Sequence, residues 1–359
     1  MNKSTYDKLT LEAQWIFSDG SGQSLGNHMF ALLQAVEESG KLTAAAKMTG
    51  MSYRHAWNQL QQWEAFFGVA LVELQKGKGA KLSSFGEKLL WAKKRVDAKI
   101  EPELENIISE INLQLRDLKQ DDGAPLRINA SHGYAVALLT EHIQSPSLKL
   151  RFTSAEDALR SLAADECDLA GFHVPENGSG LQRIHAFDHY LNEYEYGLIR
   201  FIQRKQGLIL AAGNPHEISS LQDLSLQSVK FVNRQHNSGT RFLLDQFLQQ
   251  QNLSPDHING YTSEEFTHSA VAAHIAAGMA GAGFGVEQAA RQFGLDFIAL
   301  CREEYLFAYK KDALNLHTIN QFQQQLCTTD IQEAIKALSG YSPTACGEDI
   351  EFSEIASWT

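Results

Sequence analysis

Between residues 28 and 118 the apolar positions recur at helical spacing. "FALLQAVEES" (30–39) places apolar groups at 30, 32, 33 and 36, which predicts an amphipathic helix ended by Gly40. "LTAAAKMTGMSYRHAWNQLQQWEAFFG" predicts a short alanine-rich helix capped by Thr43, then a tight turn at Gly50 and Met51. A second helix, capped by Ser52, is expected to run to about Phe67. Ala44 to Ala46 are small enough for the two helices to cross closely, as a helix-turn-helix requires. Ala56, Leu60, Trp63 and Phe67 form the core stripe, leaving Tyr53, Arg54, Asn58 and Gln61 on other faces. After Gly68, "VALVELQKGKGAKLSSFGEKLL" reads as a strand, a Gly/Lys tip and a return strand, a wing carrying Lys76, Lys78 and Lys81. One long helix follows from Phe85 to Leu118, with Pro102 as a point for a kink. Its apolar residues at 89, 96, 100, 104, 107, 111 and 118, widened by Ile108 and Leu115, repeat like a coiled coil and call for a partner helix.

The period changes at "QDDGAP" (120–125), a linker. Beyond it short apolar runs alternate with helical patterns, the mark of a parallel sheet covered by helices. "LRINA" ends in Ser131-His132-Gly133, "LKLRF" ends in Thr153-Ser154-Ala155, and "CDLAGFHV" is a third strand ending in His173. "GLILAAGNP" and "SVKFVNRQHNSGTRFLL" open a second lobe, which "GYTSEEFTHSAVAAHIAAGMAGAGFGVEQAA" continues. "LDFIALCREEYLFAYKKD" reads as a strand pair returning to the first lobe. The expected fold class is α/β: an N-terminal winged helix-turn-helix (1–84), a linker or dimerisation helix (85–120), and a two-lobed periplasmic-binding-protein-like domain (121–345).

Charge sharpens this division. The net charge of −12 argues against nucleic acid, yet residues 41–99 hold 11 Lys+Arg against 4 Asp+Glu. A basic head therefore sits on an acidic body. No apolar run reaches the roughly 20 residues of a membrane span, and no secretory signal is visible. Cys167, Cys301, Cys327 and Cys346 lack CxxC spacing and read as free thiols of a cytoplasmic protein.

The head offers Thr43, Ser52, Tyr53, Arg54 and Asn58, with the wing lysines Lys76, Lys78 and Lys81, for contact with a groove and its phosphates. In the body, ligands gather beyond strand ends, where helix N-termini present free N–H groups. The candidates there are Ser131, His132, Ser154 and His173 from the first lobe. From the second come Asn233, Arg234, Asn237, Ser238, Gly239, Thr240, Arg241, Thr267 and His268. Hydroxyl, amide and guanidinium donors at a helix start suit a small oxyanion or carboxylate. The thirteen histidines lack metal-motif spacing, "GAGFG" lacks the context of a phosphate loop, and no nucleophile–base–acid set is present. No metal, cofactor or catalytic residue is expected.

Residues 9–90, through "LTAAAKMTGMSYRHAWNQL" and "LVELQKGKGAKLSSFGEKLL", resemble the DNA-binding domain of molybdate-responsive (ModE-type) repressors, relatives of LysR-type winged helices. "LEAQWIFSDGSGQSLG" fits the small N-terminal hairpin of those domains. The body resembles the binding-protein-like domain found joined to such heads and to molybdopterin biosynthesis proteins, through "QGLILAAGNP", "FVNRQHNSGTR", "THSAVAAHIAAGMAGAGFG" and "GLDFIAL". The resemblance implies a non-enzymatic transcriptional regulator, a homodimer or homotetramer on a double-stranded DNA operator, with molybdate, tungstate or a related small anion as effector. The alternative is a solute- or molybdenum-cofactor-binding protein without a gene-regulatory role. The chain departs from the family at a shorter wing, at Asn237 where glycine is usual, and at Gly281 where aspartate is common.

Overall fold

The helical spacing of the first hundred residues becomes three short helices and the start of a long one. The computed structural model describes residues 9–20, 22, 24–25, 28–75, 79–118, 124–143, 145–176 and 190–356. The chain divides into two units, residues 12–98 and residues 99–359 together with 1–11.

In the first unit β1 (Phe17–Ser18) and β2 (Ser24–Leu25) form a small antiparallel ladder. Helices α1 (His28–Ser39), α2 (Leu42–Met48) and α3 (Tyr53–Phe67) follow, then the hairpin β3 (Val72–Gln75) and β4 (Gly79–Leu82). Met29, Leu32, Leu33 and Val36 from α1 pack with Ala45 and Ala46 of α2 and with Ala56, Leu60 and Trp63 of α3. The small Ala45 and Ala46, fully buried, are what permit the close crossing. Ser52 accepts a hydrogen bond from the His55 N–H, as an N-cap does, and Gly68 ends α3 at φ +72°. Thr43 does not cap α2. Leu42 is drawn into the core and starts the helix two residues earlier, so Lys41 takes the cap position and Thr43 is exposed in the first turn. Lys76 and Lys78 lie outside the described residues.

Helix α4 (Ser84–Leu118) runs 35 residues with Pro102 inside it. Ile107, Ile111 and Leu115, four residues apart, stay exposed along one side.

The second unit holds a ten-stranded sheet among the described residues, in the order β10-β9-β11-β8-β12-β7-β5-β6, with β13 and β14 paired to β8. In chain order its elements are β5 (Leu126–Ala130), α5 (Tyr134–His142), β6 (Leu148–Phe152), α6 (Ala155–Ala163) and β7 (Leu169–Pro175). Next come β8 (Tyr196–Leu210), β9 (Phe231–Arg234), α7 (Gly239–Gln250) and β10 (Glu264–Glu265). They are followed by α8 (His268–Ala276), β11 (Ala282–Val286), α9 (Glu287–Gln292) and β12 (Asp296–Lys310). The chain closes with α10 (Leu316–Leu326), α11 (Thr329–Lys336), β13 (Tyr341–Ser342), β14 (Asp349–Ile350) and α12 (Phe352–Ala356). Ile350 and Ile355 are buried, so residues beyond 345 complete the same body.

Parallel β5, β6 and β7 build one lobe; parallel β9, β10 and β11 build the other. Antiparallel β8 and β12 are shared by both. These two strands depart from the sequence reading. "GLILAAGNP" is the end of a 15-residue strand that starts at Tyr196, and "LDFIALCREEYLFAYKKD" is one strand instead of a pair. Charged residues that looked like a break are neutralised across the ladder, Arg204 by Glu303 and Arg200 by Glu304, so the strands continue through them. Between the lobes the pairing shifts register at Ala299/Cys301. Gly207 is required there: a Cβ would sit 1.9 Å from the Ile298 carbonyl oxygen. β7 also runs on to Pro175 by pairing with β12, which puts His173 inside the strand and not at its end.

Candidate functional site

The loop after β5 carries Ser131 and His132 to the gap between the lobes. Ser131 Oγ lies 3.3 Å from His173 Nδ1, and the Tyr305 hydroxyl donates to the Ser131 carbonyl at 3.4 Å. The His173 and Tyr305 rings meet edge to face at 4.4 Å. His132 packs against Phe152 and sets Nε2 3.3 Å from Glu105 of α4.

The floor of the gap is the crossing of β8 and β12. Arg204 holds Glu303 through Nε at 3.0 Å and Nη2 at 2.9 Å, both residues being 3% exposed in their side chains. Gln206 donates to the same Glu303 oxygen at 2.8 Å and to Thr240 Oγ at 3.2 Å. Burial is the largest single influence on the Arg204 pKa and lowers it; Glu303 and Tyr341 together, through charge and hydrogen bonds, outweigh it and the net direction is up.

Arg234, the last residue of β9, is buried beside this pair. Its Nε donates to the Gln235 side chain at 3.1 Å and its Nη2 to the Phe266 carbonyl at 2.9 Å, both neutral acceptors. Among the described residues no carboxylate forms an ion pair with it. Burial, then the positive Arg204, push its pKa down to about 9, and Glu303 offsets this only in part. It is still a cation at neutral pH.

His268 opens α8, after Thr267, whose side chain caps the helix by accepting from the Ala270 N–H. Neither ring nitrogen has a hydrogen-bond partner among the described residues. Gly285 makes room for the ring, since a Cβ there would stand 3.1 Å from Nδ1. Burial first, then Arg234, Arg204, His173 and His132, hold the His268 pKa well below the usual range. The imidazole is neutral. Two arginines and three histidines thus converge from both lobes on one small volume.

The lobes are held together at its edge. The Tyr134 hydroxyl, on α5, meets Ser269 Oγ of α8 and Gln292 Oε1 of α9, each at 2.6 Å. Gly133, Val136, Ile202, Arg204, Tyr305 and Tyr341 line the narrow crevice below.

Several residues singled out from the sequence are engaged elsewhere. Arg241 stacks over Tyr261 at 4.0 Å and pairs with Asp245 and Glu264 at 3.1 and 3.5 Å, which turns its guanidinium onto its own lobe. Asn233 is spent on backbone, accepting from the Arg234 N–H and donating to the Tyr261 carbonyl. Ser154 and Ser238 are N-caps, accepting from the Asp157 and Arg241 N–H groups. Asn237 is exposed, Gly239 begins α7, and Thr240 is buried against Gln206. Arg204, Gln206, Glu303, Tyr305 and Tyr134 were not legible as site residues. The one local signal was ionisable Arg204 and Glu303 flanked by long apolar runs.

In the first unit α3 turns Arg54, Asn58 and Gln61 outward, opposite its buried stripe. Tyr53 and Trp57 stack beside them at 6.5 Å, 50% and 39% exposed. Lys81 on the hairpin pairs with Glu73 at 3.0 Å.

A helix-turn-helix with an outward polar helix, followed by a two-lobed domain with a cationic gap, defines a ligand-responsive transcriptional regulator. Its effector-type domain, residues 136–326, matches the model of the PBP superfamily domain, and the chain belongs to that superfamily. Residues 28–87 match the bacterial regulatory helix-turn-helix protein model of the lysR family. The uncharacterized protein YvgK of Bacillus subtilis is 27% identical over 64% of this chain and 75% of its own length. The molybdenum-pterin-binding protein MopB of Rhodobacter capsulatus is 28% identical over 34% of this chain and 46% of its own length. The structure of a Corynebacterium glutamicum OxyR C206 mutant aligns over 87% of this chain and 92% of that one, with a TM-score of 0.42 and 14% identity. Among the described residues no helix is long and apolar enough to cross a membrane, and no cluster of His, Cys, Asp and Glu could hold a metal ion.

Proposed function

We propose that this regulator senses a small oxyanion, molybdate or tungstate, in the gap between its lobes, and passes that signal to operator DNA. The observation that carries the reading is Arg234: a buried guanidinium with neutral partners only. An unpaired cation out of water is costly, and an anion between Arg234, Arg204 and His268 removes that cost. Ser131, His132, His173 and Tyr305 supply further polar contacts from the other lobe. The ModE-type sequence resemblance and the similarity to MopB, a molybdenum-pterin-binding protein, favour molybdate over sulfate.

On the DNA side, Ser52, Tyr53, Arg54 and Asn58 are the reading residues of α3, and Lys76, Lys78 and Lys81 are phosphate contacts of the wing. The exposed Ile107, Ile111 and Leu115 stripe supports pairing of two α4 helices, which sets two heads on a two-fold operator.

Calorimetry with molybdate, tungstate, sulfate and formate tests the effector. A binding isotherm with molybdate or tungstate is expected, weakened about 10- to 100-fold by Arg234→Ala, the loss of a charge-assisted hydrogen bond. No heat from either metal oxyanion would exclude it.

A further inference from the structure

The charges facing the gap do not match the charge of the oxyanion. Arg204 and Arg234 contribute two positive charges, and Glu303, bound to Arg204 and Gln206, contributes one negative. Leaving aside Glu105, which meets His132, the surplus is a single positive charge. Molybdate and tungstate carry two negative charges near neutral pH, so binding either would bury a net negative charge in a low-dielectric site. One more cation is needed.

His268 is the group placed to supply it. Arg234 faces it from β9, Arg204 from β8, His173 from β7 and His132 from the loop after β5. Glu303 on β12 stands behind the arginines, and on its own helix His274 is held by Glu265 at 3.0 Å. The other two histidines of the gap have local partners already, His132 at Glu105 and His173 at Ser131. His268 has a hydrogen bond at neither nitrogen among the described residues. The groups that keep it neutral are burial and the two arginines, and a dianion between them cancels the second cause.

We propose that the gap takes a dianionic oxyanion together with one proton, and that His268 receives that proton. This rests on the gap being the anion site. The step is acid–base only: neutral imidazole, dianion and one proton from buffer give an imidazolium beside the dianion, with one N–H bond formed. Affinity for a dianion then falls as pH rises, by about tenfold per pH unit between the pKa of His268 in the free protein and its higher value in the complex. A monoanion needs no proton and shows no such slope.

Calorimetry on the full chain at pH 7.5 in buffers of different ionisation heat reads the proton directly. With molybdate, the observed heat plotted against buffer heat is expected to have a slope of about one proton. Perrhenate, a tetrahedral monoanion close to tungstate in size, is expected to give a flat line. His268→Gln is expected to abolish the molybdate slope and to weaken molybdate by a larger factor than perrhenate. Molybdate binding with heats independent of buffer overturns the proposal, and the wild-type series decides this without any variant. A slope that persists in His268→Gln assigns the proton elsewhere and overturns the role of His268. No heat from molybdate, tungstate, sulfate or perrhenate instead removes the anion site itself, and this proposal with it.

Discussion

Glu303 shows how much one buried carboxylate governs here. It answers Arg204 through two contacts, accepts from Gln206, and is the charge that partly offsets the desolvation of Arg234. Replacing it with glutamine leaves two guanidinium groups buried with no carboxylate between them. Breaking a buried ion pair in this way costs about 3–5 kcal/mol. Glu303→Gln is therefore expected to lower the thermal midpoint of the C-terminal domain, and molybdate to restore part of the loss, because an anion re-supplies the missing charge. A midpoint equal to wild type would mean that Arg204 and Arg234 are well solvated. None of this was readable from local sequence. Arg204 and Glu303 lie 99 residues apart and Gln206 and Thr240 are 34 apart, so the partnership appears only when the strands align. His132, His173 and His268 were visible as polar residues near strand ends, but their convergence was not.

At the scale of elements, the helices of the head, the 35-residue α4 and the short strands were legible, and the two 15-residue strands were not. Helix α3, its Ser52 cap, its Gly68 stop and the strands β5 and β6 follow patterns contained within one element. Strands β8 and β12 do not, because each crosses two lobes and carries charges mid-strand that single-sequence periodicity reads as a break. Thr43 illustrates the same limit on a smaller scale: a good capping residue lost its place to the burial of Leu42. The surface of α3 carries a further expectation. Tyr53 and Trp57 form a half-exposed aromatic pair beside Arg54 and Asn58, a costly arrangement on a helix that meets only water. Trp57→Ala is expected to weaken binding of a selected operator by about 1–3 kcal/mol, the usual size of a specific base contact. Its effect on stability should stay within about 0.5 kcal/mol, as for an exposed residue. Fluorescence anisotropy and thermal melting separate the two. Equal operator affinity in the variant would assign the reading to Arg54, Asn58 and Gln61 alone.

In the whole molecule, the head and the body have opposite electrostatic characters, and a basic head suits a polyanionic duplex. Tyr134, joined to Ser269 and Gln292, bridges the lobes beside the gap. The effector acts on DNA binding only if it favours one lobe arrangement over another. The most direct measurement is operator affinity, by anisotropy at fixed salt, with and without saturating molybdate, in wild type and in Arg234→Ala. Wild-type affinity is expected to change by about fivefold or more, the lower end of typical allosteric coupling, and the variant to show no change at the same molybdate concentration. Superimposable wild-type isotherms in the presence and absence of molybdate, at concentrations where calorimetry shows the site filled, would contradict a sensor that reports this anion to DNA.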